Sequence, residues 1–209
     1  MVHAQTIRIF LGMLACSGLV TGSLSPVAAA QGTASTKLNA AFITLQDDSR
    51  QVSSAASKQE KAKAWLRLNH DAVRFAGEMN RAFPHSQYSG ETIDPPEAQD
   101  FANRATHFGV RIFFCEPGAE WAASNEGFFK YLELWPSGPD AEEAAWMGPA
   151  GNQAGCGDFE GTPDELEDII RKNQDFLDHF PNSRFASEAT KRLTQARKML
   201  HDTNKSGQK

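Results

Sequence analysis

The sequence predicts an all-α fold, a short α-solenoid of about three helical hairpins that follows an export signal. Three observations carry this reading. Apolar residues recur at three-and-four spacing through most of the chain beyond residue 37, the signature of amphipathic helices. The aromatic–proline pairs Phe83-Pro84, Trp135-Pro136 and Phe180-Pro181 punctuate those runs. Two strings, YLELWPSGPDAEEA at 131–144 and FLDHFPNSRFASEA at 176–189, align at an offset of 45.

The first 30 residues read as a signal peptide. Residues 9–20 form an apolar run of about a dozen residues, too short to span a bilayer. Small and polar residues follow, with Pro26 ahead of Ala28-Ala29-Ala30, which places cleavage after Ala30. The rival reading is a lipoprotein box that ends at Cys16, although Met13 and Leu14 depart from its usual pattern. Residues 31–36 and 203–209 read as a disordered linker and tail, which bounds the helical domain at 37–202.

Within that domain, residues 38–45 suit a short helix. Trp65, Leu68, Ala72, Ala76, Met79 and Phe83 then mark the first helix of unit one, which Pro84 closes. After Pro95-Pro96, the stripe Ala98, Phe101, Ala105, Phe108 and Ile112 predicts its second helix, ending near Cys115. Unit two places Trp121, Phe128, Tyr131, Leu132 and Trp135 on one helix, closed by Pro136, and a short helix over 139–147. A glycine-rich loop spans 148–161.

Unit three opens on Thr162-Pro163-Asp164-Glu165, a capping box with proline in the first helical turn. Its first helix carries Leu166, Ile169, Ile170, Phe176, Leu177 and Phe180, a face interrupted by Asn173. Pro181 disfavours helical backbone at Phe180, and Asn182-Ser183 restarts the chain into a helix with Phe185, Ala189, Leu193, Ala196 and Leu200. Phe180 is expected to be buried between its own two helices, which small Ala186 and Ala189 allow to approach closely.

The strings around these pairs resemble the helical hairpins of TPR-like bacterial envelope proteins, a group that includes the barrel-assembly lipoprotein BamD and the Tol–Pal-associated CpoB. The match is best over 162–200, moderate over 119–147 and weak over 65–114. The resemblance implies a TPR-like α-solenoid in which Phe83, Pro84, Tyr131, Trp135, Pro136, Phe176, Phe180, Pro181, Ala186 and Ala189 pack repeats together. It implies no binding residues. Repeat spacings of 45 to 52 exceed the 34-residue tetratricopeptide period, so extended linkers are expected.

Charge is uneven: net +3 over 31–88, −14 over 89–170 and +5 over 171–209. Two readings stay open, a solvated acidic surface and a sharper one, either a basic partner or attraction between the acidic middle and the basic ends of the chain. The overall acidity, with no basic stripe, argues against nucleic acid. After processing, Cys115 and Cys156 remain, and in an oxidising compartment a lone pair is most simply a disulfide. Two separate thiols, one buried and one in a loop, are the alternative.

Catalytic motifs are missing. The mature histidines are scattered without metal-ligand spacing, and neither G-x-S-x-G nor C-x-x-C occurs. The acidic pairs Glu142-Glu143 and Asp164-Glu165 sit at helix starts, where the dipole and capping account for them. No catalytic, metal or cofactor residues are therefore assigned. The expected function is an exported, non-catalytic interaction module of the envelope, periplasmic or secreted, that binds a protein or peptide. Membrane attachment follows only if Cys16 is lipidated. The alternative is a periplasmic hydrolase or accessory enzyme with an acidic site.

Overall fold

The computed structural model describes residues 26–84, 95–115, 118–150 and 160–206. In order they form α1 (Pro26–Ser54), α2 (Lys58–Ala82), α3 (Pro96–Thr106), β1 (Ile112–Cys115), β2 (Glu120–Ala123), α4 (Glu126–Leu134), α5 (Ala141–Ala145), a π-helical turn (Trp146–Ala150), α6 (Pro163–His179) and α7 (Ala186–Ser206). The fold is all-α and TPR-like, with one small two-stranded sheet. Three hairpins are present, but the first is not the expected one.

α2 pairs with α1 through a three-residue connection, 55–57, and not with α3. A capping box fixes its start: the Glu60 N–H donates to Ser57 Oγ at 3.2 Å, and the Ser57 N–H donates back to Glu60 at 3.1 Å. α1 is far longer than the expected 38–45 helix, because its buried stripe continues from Leu38, Ala41, Phe42 and Leu45 through Asp48 to Val52. The polar Asp48 disguises that continuation. α1 also runs through 31–36, and α7 reaches Ser206, so most of the expected disordered linker and tail is helical. Both lengthen by propagation, which adds one hydrogen bond per residue once a packed helix exists. Ala28-Ala29-Ala30, the expected cleavage site, lies in the first turns of α1.

Between the first and second hairpins the chain inserts α3 and a β-ribbon. Phe101, Ala105, Phe108 and Ile112 keep helical spacing, but α3 ends at Thr106 and Gly109, at φ +86°, turns the chain away. Beyond it Val110 and Ile112 alternate with exposed Arg111, a period of two that suits a strand. Cys115 therefore ends β1 and Trp121 lies on β2, paired in antiparallel register with Phe114. Trp121 therefore lies outside the unit-two helix on which its spacing from Phe128 places it.

The three aromatic–proline stops are structurally equivalent. Phe83, Trp135 and Phe180 are each the residue after a helix, with φ/ψ of −128°/65°, −150°/69° and −131°/58°. Each donates its backbone N–H to the carbonyl four residues back, on Met79, Tyr131 and Phe176, at 2.7, 2.8 and 2.8 Å. The following proline clashes with helical ψ at the preceding residue, so ψ turns positive while the last helical bond survives. The next turns match too: Gly138 and Ser183 donate to Trp135 and Phe180, and Ala141 and Ala186 donate to Gly138 and Ser183, all at 3.0–3.1 Å.

The core is a row of linked clusters. The first joins α1, α2, α3 and the ribbon around Phe42, Phe75 and Trp121. The second joins α2 to α4 and α5 around Phe128 and Tyr131. Trp146 and Phe176 anchor the third, and Leu166, Ile169 and Ala196 the fourth. Each cluster serves neighbouring elements, as expected of a stacked array.

Candidate interaction cleft

α2 positions the site through two buried amides. Asn69, fully buried, accepts the Gly127 N–H at 2.7 Å and donates to the Ser124 carbonyl at 3.2 Å, so it caps the start of α4. Asn80, three turns later on the same face, donates to the Trp121 carbonyl at 2.9 Å and accepts its N–H at 2.6 Å. Its amide acts as one more strand partner for β2. Gly127 is required by this contact, since a Cβ there would meet the Trp65 carbonyl oxygen at 2.6 Å.

The second hairpin is cut short. Its second helix, α5, has five residues and passes into the π turn, which contains Pro149. Asn125 Nδ2 donates to the Gly148 carbonyl at 3.3 Å, satisfying a group the wide turn releases. Trp146 stacks on Phe185 with centroids 5.1 Å apart and lies under the Arg192 guanidinium at 4.5 Å. Between α4, this turn and α6 remains a cleft of about 460 Å³.

Phe129, Leu132, Phe176 and Phe180 form its apolar face, with Pro136 and Pro149 at its margins. Phe129 is 45% exposed, a large apolar side chain left to solvent beside a concave apolar surface. Arg171, Lys172, Asp175 and His179 make the polar side. Those cations are already paired: Arg171 bonds Asp168 and lies 3.8 Å from Asp175, and Lys172 reaches Asp168 at 2.5 Å. The Lys172 hydrogen bond chiefly holds the Asp168 carboxyl below its ordinary value. His179 Nδ1 lies 2.7 Å from the Asp175 carbonyl, which can only accept, so Nδ1 carries the proton.

The residues named from the repeat motif divide by location. Pro136, Phe176 and Phe180 line the cleft, Tyr131 and Trp135 pack beneath it, and Ala189 lies against Phe176 in the third cluster. Ala186 is half-buried and Pro181 is exposed. Phe83 belongs to the first cluster, with half-buried Pro84 after it. Phe180 is only partly buried. It joins the second and third clusters and meets Phe176 at 5.4 Å, so it packs between hairpins and not solely within its own. Cys115 is disulfide-bonded, and Cys16 and Cys156 lie outside the described residues.

Both acidic pairs have structural work. Glu142 Oε1 accepts the Ser183 hydroxyl at 2.8 Å and the Arg184 N–H at 3.3 Å. Glu143 bridges His70 at 3.3 Å and Arg184 at 3.4 Å, which ties three hairpins together. Glu165 completes the predicted capping box with Thr162, whose N–H principally lowers the Glu165 carboxyl. One substitution pattern explains itself. The Tyr131 hydroxyl accepts the Asp140 N–H at 3.0 Å, and a Cβ at Gly138 would stand 2.3 Å from that oxygen. In the third hairpin Phe176 lacks the hydroxyl, and Ser183 takes the glycine's place.

Sequence reasoning missed Asn69, Asn80, Phe129 and the Glu142–Ser183 clasp. A polar residue inside the α2 stripe was the available signal for the first. Among the described residues no group of three or more His, Cys, Asp or Glu is placed to hold a metal, and no helix is long and apolar enough to cross a membrane.

A model of the YfiO family, described as an outer membrane lipoprotein, matches residues 118–204. The matched segment begins just before β2 and takes in the second and third hairpins with the whole cleft. No curated protein and no solved structure matches the chain significantly.

Proposed function

We propose that this chain, a TPR-like envelope protein over residues 118–204, is a non-catalytic module that holds a protein or peptide partner in the cleft between α4 and α6. The observation that carries the proposal is Phe129, exposed at the edge of an apolar cleft that the repeat motif itself builds. Apolar side chains of a partner fit such a surface better than a reactive substrate does. The cleft's own cations are internally neutralised, and the surrounding acidic segment suits a partner with basic flanks. The hydrolase alternative loses ground, because both acidic pairs hold the repeats and caps together.

The same reading places the mature protein in the periplasm or outside the cell after cleavage behind Ala30. The family match lends weight to attachment at the outer membrane through a lipidated Cys16. Intact mass of the exported protein decides between Gln31 as N-terminus and an acylated Cys16. For the cleft, a photo-crosslinking amino acid replaces Phe129 in living cells, with equally exposed Val73 as the control position. A discrete protein adduct at 129 that is absent at 73 supports the reading. No adduct at 129, or the same adducts at both, overturns it.

A further inference from the structure

We propose that Asp48 and Asp71 form a shared-proton latch between α1 and α2, closed in acid and loosened as pH rises. Asp48 sits in the buried stripe of α1 between Leu45 and Val52 and is only 6% exposed. Its Oδ1 receives one long hydrogen bond from Gln51 at 3.4 Å, and its buried Oδ2 has no partner among the fixed donors. Across the interface stands Asp71 of α2, bound to Arg74 at 2.7 Å. Two carboxylates are both acceptors and cannot bond each other. A proton on Asp48 converts the contact into an O–H···O⁻ bond and removes a buried charge.

From α2, Arg67 and Arg74 favour the ionised form of Asp48, but Arg67 is bonded to Gln51 at 2.6 Å and Arg74 to Asp71. α3 presents Asp100 and Arg104, which pair with each other near Phe42, and on α1 Asp47 pairs with Arg50 in solvent. Burial, with the hydrogen bond and charge of Asp71 adding to it, raises Asp48 from 3.8 to about 7. The folded protein therefore holds a proton that the opened hairpin releases. The latch contributes fully below about pH 4, weakens as pH rises, and is spent above about pH 7. Within that window the opening equilibrium of α1 grows by up to about tenfold per pH unit.

Hydrogen exchange of the intact protein, corrected for intrinsic rates, tests this at pH 5, 6, 7 and 8. Protection of α1 amides around 42–52 should fall at least tenfold from pH 5 to 7 and then level. Asp48→Asn, which keeps the shape without the titration, should abolish that slope. An α1 protection independent of pH, or the same slope in Asp48→Asn, overturns the latch. Should that variant fail to fold, the carboxyl ¹³C shift of Asp48 in the wild-type protein decides. A midpoint near 7 supports the proposal, and one near the ordinary aspartate value refutes it.

Discussion

Replacing Asn69 by alanine tests how α2 commands the rest of the array. The substitution removes the acceptor of the Gly127 N–H and the donor to the Ser124 carbonyl, at a site with no solvent access. A buried backbone group left without a partner costs about 1–3 kcal/mol, and two such groups are created. Relaxation of α4 recovers part of that, since its first turn can tilt toward water. A loss of about 3 kcal/mol remains, which for a domain of this size lowers the melting temperature by roughly 6–12 °C. Circular dichroism at 222 nm, with a urea titration alongside, measures it. Gly127→Ala should be destabilising as well, because its Cβ would fall 2.7 Å from the Asn69 Cβ. The double variant should lose less than the two single losses combined, as expected for residues in contact. An Asn69→Ala protein that melts within about 2 °C of its parent would refute the idea that this amide fastens α4.

Two more expectations are simpler to test. Phe180→Ala should cost about 1.5–2.5 kcal/mol, less than the 3–5 of a fully buried phenylalanine, because the ring is only partly buried at the cleft. A loss above 4 kcal/mol would mean that the ring is fully enclosed in solution. Thiol counting on denatured, unreduced mature protein should find none free if Cys115 pairs with Cys156. That bond would close a segment of about 40 residues and stabilise by roughly 4 kcal/mol in the chain-entropy treatment. Two free thiols would dismiss the pairing.

The helix stops were legible because their chemistry is local. Phe-Pro and Trp-Pro restrict ψ within one residue, and Thr162-Pro163-Asp164-Glu165 closes its box within one turn. Elements defined by distant partners were not legible. Ile112 fits a helical stripe from Phe101 as well as it fits a strand, and the glycine that decides between them acts through a positive φ at Gly109. Asp48 and Asn69 look like flaws in apolar stripes, yet each serves a contact with another element. The cleft escaped notice for a related reason. It is a consequence of where α5 stops; the sequence predicts that short helix, but nothing in it marks Phe129 as the side chain left exposed beside the gap.

The junction of the last hairpin with the rest runs through the Trp146–Ala150 turn, Phe180 and the Glu142–Glu143 clasp on Ser183 and Arg184. The cleft lies astride that seam, with Phe129 and Leu132 on one bank and Phe176 and Phe180 on the other. Whatever wedges into it grips both blocks at once and works as a rivet. Tension applied to the C-terminal hairpin would then be carried across the seam by the bound chain, and the tilt of α6 and α7 would report whether a rivet is in place.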